Sequence, residues 1–141
     1  MKTTLESVLI IIFLSISIIH FYWVFGGLKG LNKALPTDEK GKRVLNPGKI
    51  ETSIVAFGLL SFAFYYAVKA GVLEIELPKL IEDYSGWIIS SIFMLRAIGE
   101  FKYIGFFKKI KNTEFGVFDT KYFSILSLTI GLIGILIELN I

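Results

Sequence analysis

The sequence contains no cysteine and only one histidine in 141 residues. The absence of cysteine excludes disulfide bonds, thiol catalysis and cysteine-ligated metals. One histidine beside scattered carboxylates supplies too few ligands for a zinc or iron site. Nucleophile motifs and phosphate-binding glycine loops are also missing. We therefore expect neither a metal nor a cofactor, and nothing in the sequence indicates an enzyme of a known catalytic type.

Apolar residues are abundant instead, at 54% of the chain, with a mean hydropathy of +0.68. They form four blocks, and each approaches or exceeds the roughly 18–20 residues that span a bilayer as a helix. The sequence predicts an all-α integral membrane protein, a four-transmembrane-helix bundle in one domain over 1–141, with helices at about 5–28, 51–73, 85–107 and 121–139. The first block resembles a signal peptide but lacks a convincing cleavage site, so we expect it to be retained.

Basic residues are concentrated in two of the three predicted loops. Residues 29–49 contain six of them, and Lys108, Lys109, Lys111 and Lys121 follow the third block, whereas residues 74–83 are mainly acidic. The positive-inside rule then places both basic loops in the cytoplasm and both termini outside the cell membrane. Topology accounts for the basic residues, so we expect membrane lipids and no nucleic acid as partners. The small residues Ala63, Ala67 and Gly71 favour packing within the bundle and leave a homodimer open.

Two charged residues, Arg96 and Glu100, interrupt the third apolar block. If one helix runs through both, they share a face and can pair. His20 lies at the same predicted depth on the first helix, so we expect the first and third helices to meet there. The predicted ligand-binding residues of this cytoplasmic-facing pocket are Ser17, His20, Trp23, Arg96, Glu100 and Tyr103. We expect Asp119 to cap the start of the fourth helix.

Charged residues inside a membrane helix usually face the protein interior, form pairs and mark a functional site. The alternative is a purely structural clasp between two helices. Histidine favours the functional interpretation, because its ordinary pKa near 6.5 allows proton exchange at cellular pH.

Several segments resemble an uncharacterised family of short, four-span bacterial membrane proteins, defined only as a domain of unknown function. The resemblance is carried by "HFYWVFGG", "LNKALPT" and "RAIGEFKYIGFFKKIKNTEFGVFDT", and it covers nearly the whole chain. The family often has Ser-Pro-Leu early in the last helix, where this chain has Ser124, Ile125 and Leu126. The resemblance implies a four-helix fold in the bacterial inner membrane and implies no activity.

We predict a small non-enzymatic membrane protein that binds a small polar or lipid-like ligand. In this hypothesis Arg96 holds an anionic group, Glu100 and Tyr103 orient it, and His20 contributes a hydrogen bond. Three alternatives remain: a membrane enzyme acting on a lipid or isoprenoid headgroup, a proton-coupled transporter, and an accessory or self-protection protein.

The predicted orientation can be tested with reporter fusions placed after Ile141 and within the loop at Gly41. The basic loops predict that the Ile141 fusion is active only outside the membrane and the Gly41 fusion only in the cytoplasm. A cytoplasmic signal from the Ile141 fusion would contradict the predicted orientation.

Overall fold

The computed structural model describes residues 2–141, which are helical apart from loops and one isolated bridge between Thr37 and Arg43. The four long helices are α1 (Lys2–Val24), α3 (Lys49–Lys69), α4 (Lys79–Ile98) and α6 (Ser124–Glu138). The short helices are α2 (Leu31–Ala34) and α5 (Glu114–Phe118), and a π-helical turn, Asp119–Phe123, joins α5 to α6. The predicted all-helical class is therefore confirmed for the described residues.

Three helical segments are long and apolar enough to cross a membrane: Lys2–Val24, Lys49–Lys69 and Glu114–Glu138. Helix α4 is not among them, because its 20 residues include Lys79, Glu82, Asp83 and Arg96. The chain therefore has the helices of a membrane protein, and the fourth span stays a prediction.

Helices α1 and α3 run antiparallel and pack along their length. Ala56 and Ala63 of α3 are buried, and their small side chains allow close approach of the neighbouring helix. The Ser17 hydroxyl of α1 donates to the carbonyl of Ala56 at 2.8 Å. The hydroxyl proton of Ser17 is therefore used in a contact with α3.

Helices α4 and α6 form the second antiparallel pair, and glycines set their register. A Cβ at Gly131 would lie 2.7 Å from the Met94 side chain, and one at Gly134 would lie 2.1 Å from the Ser90 hydroxyl. Nearer the other end of the pair, a Cβ at Gly86 would lie 1.8 Å from Glu138 Oε1. The two helices are therefore in close contact. Side chains of α4 pack over the two α6 glycines, and the Glu138 side chain of α6 packs over Gly86 of α4.

The two pairs meet through an aromatic cluster. The Phe13 ring of α1 lies 5.9 Å from Tyr66 and 5.4 Å from Phe93, between ring centroids. These distances fall in the favourable range for aromatic pairs. Helices α1 and α4 therefore contact each other near Phe13.

The chain termini lie at one end of the bundle. Lys2 Nζ donates to Asn140 Oδ1 at 2.7 Å, and Lys69 at the end of α3 pairs with Glu138 at the end of α6. We call this the terminal end. The opposite end, which we call the loop end, is formed by residues 25–48 and 99–123.

The helix boundaries differ from the predicted ones most clearly in the third block. Helix α4 covers Lys79–Ile98, whereas the sequence predicted 85–107. Gly99 ends the helix with a φ of 90°, a conformation that disfavours L side chains. The apolar residues that follow Gly99 form a loop. The last predicted helix also begins earlier, as α5 and the π-helical turn.

Candidate functional site

Residues 98–108 fold back on the end of α4 through two glycines. The amide of Phe106 donates to the carbonyl of Ala97 at 2.8 Å, and Gly105 has a φ of 89°. A Cβ at Gly99 would lie 1.7 Å from the carbonyl oxygen of Ile104, and one at Gly105 would lie 2.4 Å from that of Ile98. Both positions therefore require glycine for conformation and for space.

This loop delivers two hydrogen-bond donors to the Asp119 carboxylate. Oδ2 accepts from the Gly105 amide at 2.8 Å, from Lys108 Nζ at 3.1 Å and from the Ser124 hydroxyl at 2.9 Å. Oδ1 accepts from Arg96 Nη2 at 2.6 Å. Asp119 is fully buried. We call Arg96, Gly105, Lys108, Asp119 and Ser124 the Asp119 cluster.

The π-helical turn places Ser124 under Asp119. The Ser124 amide donates to the carbonyl of Asp119, five residues earlier, as the wider turn requires. The Ser124 hydroxyl therefore reaches the carboxylate of the same residue. Turns of this kind inside α-helices are frequent at functional sites.

Lys108 is buried with its ammonium group fully bonded. In addition to Asp119, Nζ donates to the carbonyl of Gly105 at 2.9 Å and to the Thr120 hydroxyl at 2.5 Å. These partners use all three of its donors. Lys108 therefore has no donor left for a ligand, and its role is structural.

Arg96 has hydrogen-bond donors that no residue of the cluster uses. Its side chain is 29% exposed, but its Nη1 is buried and has no hydrogen-bond partner among residues 2–141. The cluster holds two cations and one anion, and both Asp119 oxygens are already engaged. An excess positive charge and a free, buried donor can accommodate an anionic group.

The structure corrects two predictions about this region. The Arg96–Glu100 pair does not form, because α4 ends before Glu100 and Arg96 pairs with Asp119. Glu100 instead accepts from the backbone amides of Tyr103 and Ile104 and is exposed. Asp119 does not cap the start of the last helix, since it lies inside the helical run, where α5 meets the π-helical turn, and Thr113 caps the start of α5 by accepting from the Gly116 amide.

The predicted residues of α1 have partners of their own. His20 Nδ1 lies 2.8 Å from the carbonyl of Ile16, and the His20 ring packs edge-on against Trp23. Trp23 Nε1 donates to the carbonyl of Lys29, and its ring lines a cavity of about 150 Å³ with Arg43 and Thr52. Within residues 2–141, no hydrogen bond joins Ser17, His20 or Trp23 to Arg96, Glu100 or Tyr103. Ligand binding by these six residues stays a prediction.

The sequence interpretation missed Lys108 and Ser124 and gave Asp119 a different role. Lys108 was one of several lysines that topology already explained, so it carried no separate signal. Asp119 is 23 residues from Arg96, and only the fold brings the two together. The resemblance gave one clue, because Arg96, Gly105 and Asp119 all lie in the quoted segment "RAIGEFKYIGFFKKIKNTEFGVFDT".

Comparison with family models gives a match over residues 13–134 to a family described as "Protein of unknown function (DUF3995)". The chain belongs to this family. The match includes every member of the Asp119 cluster, and it confirms the resemblance to an uncharacterised family. Comparisons with curated proteins and with solved structures give no match.

The close approach at Gly105 predicts a strong effect of Gly105→Ala. A left-handed conformation alone costs an L-residue roughly 1–2 kcal/mol, and here the methyl group would also meet backbone atoms. Gly26→Ala is the matched control, because Gly26 has a φ of 96° with nothing within 4 Å of its Cβ position. Unfolding in detergent should show a larger loss for Gly105→Ala, and equal losses would contradict the described loop.

The pairing of Arg96 can be measured with two double-mutant cycles. We expect Arg96→Met and Asp119→Asn to be coupled by roughly 0.5–3 kcal/mol in unfolding free energy, as for residues in contact. Arg96→Met and Glu100→Gln should be additive within about 0.5 kcal/mol. Asp119→Asn alone should destabilise most, because it leaves two cations without their anion. Coupling to Glu100 instead of Asp119 would contradict the ion pair.

Proposed function

We propose that the protein is a four-span membrane protein that binds the anionic group of a small polar or lipid-like molecule at the Asp119 cluster. The observation that carries the proposal is the buried Arg96 Nη1, which lacks a partner in a cluster with one excess positive charge. A clasp that only joined helices would leave no buried donor unused, since such groups cost free energy. An anionic oxygen bonded to Nη1 would remove that cost and neutralise the excess charge.

The outer surface of α4 supports a fourth span. Ile88, Ile92 and Leu95 are exposed on a helix whose residues 84–95 include no charge. Exposed apolar surface of this kind fits contact with lipid. The charged residues of α4 lie near its ends, and Arg96 faces inward onto Asp119. The position of both termini at one end also agrees with an even number of spans.

The arrangement favours a ligand that approaches at the cytoplasmic face. Under the positive-inside rule the loop end, which carries most of the basic residues, is cytoplasmic. Nearby lysines attract anionic headgroups by about 1 kcal/mol each. Leu95, beside Arg96, is 66% exposed on the surface proposed to face lipid. An anionic headgroup could therefore reach Arg96 while its apolar portion stayed beside Leu95.

The roles proposed for the other residues change accordingly. Glu100 organises its own loop, so it is not needed to orient the ligand. Trp23 lines a separate cavity at the same end of the bundle, and neither Arg96 nor Leu95 is among the residues that line it. Arg96 is the one predicted ligand-binding residue on which the proposal depends.

Native mass spectrometry of protein released from mild detergent tests the proposal. We expect the wild-type protein to retain an anionic small molecule or lipid, and Arg96→Met to lose it by about tenfold or more, as loss of a charge-assisted hydrogen bond predicts. Arg96→Met leaves Asp119 bonded to Lys108, Gly105 and Ser124, so the variant should fold. Its thermal stability in detergent checks this.

Lys109→Met is the control, because Lys109 is an exposed lysine next to the cluster. It removes the same charge and should lower occupancy much less than Arg96→Met does, because it removes long-range attraction and no hydrogen bond. A bound anion that survives Arg96→Met, or a wild-type protein without any bound anion, would contradict the proposal.

A further inference from the structure

A second polar cluster lies at the terminal end and receives residues from all four long helices. Helix α3 contributes Tyr66 and Lys69, α6 contributes Glu138, α1 contributes Glu6 and α4 contributes Ser90. We call these five residues the Glu6 cluster. It is independent of the Asp119 cluster, which lies at the loop end.

Lys69 and Glu138 form a complete ion pair. Lys69 Nζ lies 2.7 Å and 2.8 Å from the two Glu138 oxygens and 3.1 Å from the Tyr65 hydroxyl. All three donors of the ammonium group are therefore directed at oxygens. The pair contributes no net charge to the cluster and has no donor left for Glu6.

Glu6 is the exception in this cluster. Only 2% of it is exposed, and its Oε1 has no hydrogen-bond partner among residues 2–141. The charges of Lys2, Lys69 and Glu138 act on it electrostatically. Lys2, however, is bonded to Asn140, and Lys69 is bonded to Glu138. Neither cation therefore donates a hydrogen bond to Glu6, and an ionised Glu6 would give the five residues of the cluster one net negative charge, with only the exposed Lys2 as a further cation nearby.

The cluster is built into the helix packing. Glu138 lies against the backbone at Gly86, where a Cβ would come within 1.8 Å of Oε1. The hydroxyls of Ser90 and Tyr66 both face Gly134, at 2.1 Å and 3.2 Å from its Cβ position. The Tyr66 hydroxyl is buried without a hydrogen-bond partner in the described chain. Two glycines thus make room for three polar groups, and one of them, the Tyr66 hydroxyl, has no partner.

The chemistry of the donor set favours a proton over a metal ion. Residues 2–141 bring together no group of three or more His, Cys, Asp or Glu side chains that could hold a metal. Lys69 already engages both Glu138 oxygens, so Glu6 would be the only carboxylate available to a cation. A buried carboxyl without a partner avoids the cost of its charge by taking up a proton.

We propose that Glu6 is a proton-binding site at the terminal end of the bundle, within the apolar surroundings of the four helices. The titratable groups that act on it are Lys2 on its own helix, Tyr66 and Lys69 on α3, and Glu138 on α6. The protonated carboxyl is neutral and its O–H can donate a hydrogen bond. When it loses the proton, the cluster carries one net negative charge.

Dicyclohexylcarbodiimide tests this directly, because the apolar reagent adds to protonated carboxyls in membrane proteins and forms a stable N-acylurea. Incubation of the full chain in mild detergent should add the mass of one carbodiimide, and fragmentation should place it on Glu6. Labelling should fall as the buffer changes from mildly acidic to alkaline. Glu6→Gln should abolish it, whereas Glu82→Gln, which changes an exposed carboxyl of the first turn of α4, should not.

The effect of sodium chloride and the label on the wild-type protein complete the test. Labelling that is unchanged by sodium chloride supports a proton, and protection by sodium would overturn the proposal in favour of an alkali cation. Absence of label from Glu6 in the wild-type protein at every pH would also overturn it. The mapping uses wild-type protein, so it holds even if Glu6→Gln fails to fold.

Discussion

The buried Asp119 carboxylate holds the loop end of the bundle together. It accepts from Arg96 on α4, from Gly105 and Lys108 in the following loop, and from Ser124 at the start of α6. Buried charges are stable only when paired and hydrogen-bonded. Here one anion satisfies two cations and two neutral donors. The close glycine contact in the loop and the π-helical turn both serve this arrangement, since each brings a donor to the same carboxylate.

The sequence predicted the long helices because an apolar run of roughly 20 residues in lipid satisfies its backbone groups internally only as a helix. It did not predict where α4 ends. Residues 101–107 are apolar except for Lys102 and would suit a continued helix, and Gly99 ends α4 where its backbone contacts the loop at Ile104 and Gly105. Contacts between loop and helix backbones leave no periodic pattern in a sequence.

The site was predicted in part, for a related reason. Arg96 stood out because a cation inside an apolar helix is costly. Its partner did not, since the nearest carboxylate in sequence, Glu100, satisfied the spacing of a regular helix. The true partner is distant in sequence and becomes close only when α4 and α6 pack. Glu6 was overlooked because charges near the start of a membrane helix are common, and only packing reveals that it is buried.

The two clusters use the same structural device at opposite ends. In each, glycine backbone lies where a polar side chain must fit between helices or against a loop: Gly105 beside Asp119, Gly86 beside Glu138, and Gly134 beside Ser90. Larger residues would force these elements apart and admit solvent or lipid. Glycine instead allows close backbone contact, so the carboxylates Asp119, Glu138 and Glu6 are shielded from solvent, while the Arg96 side chain stays partly exposed. Low solvent access raises the cost of net charge, and each cluster carries one unit of it: positive in the Asp119 cluster, where one carboxylate pairs with both Arg96 and Lys108, and negative in the Glu6 cluster when Glu6 is ionised. The opposite signs of these charges are the reason for proposing an anion at one end and a proton at the other.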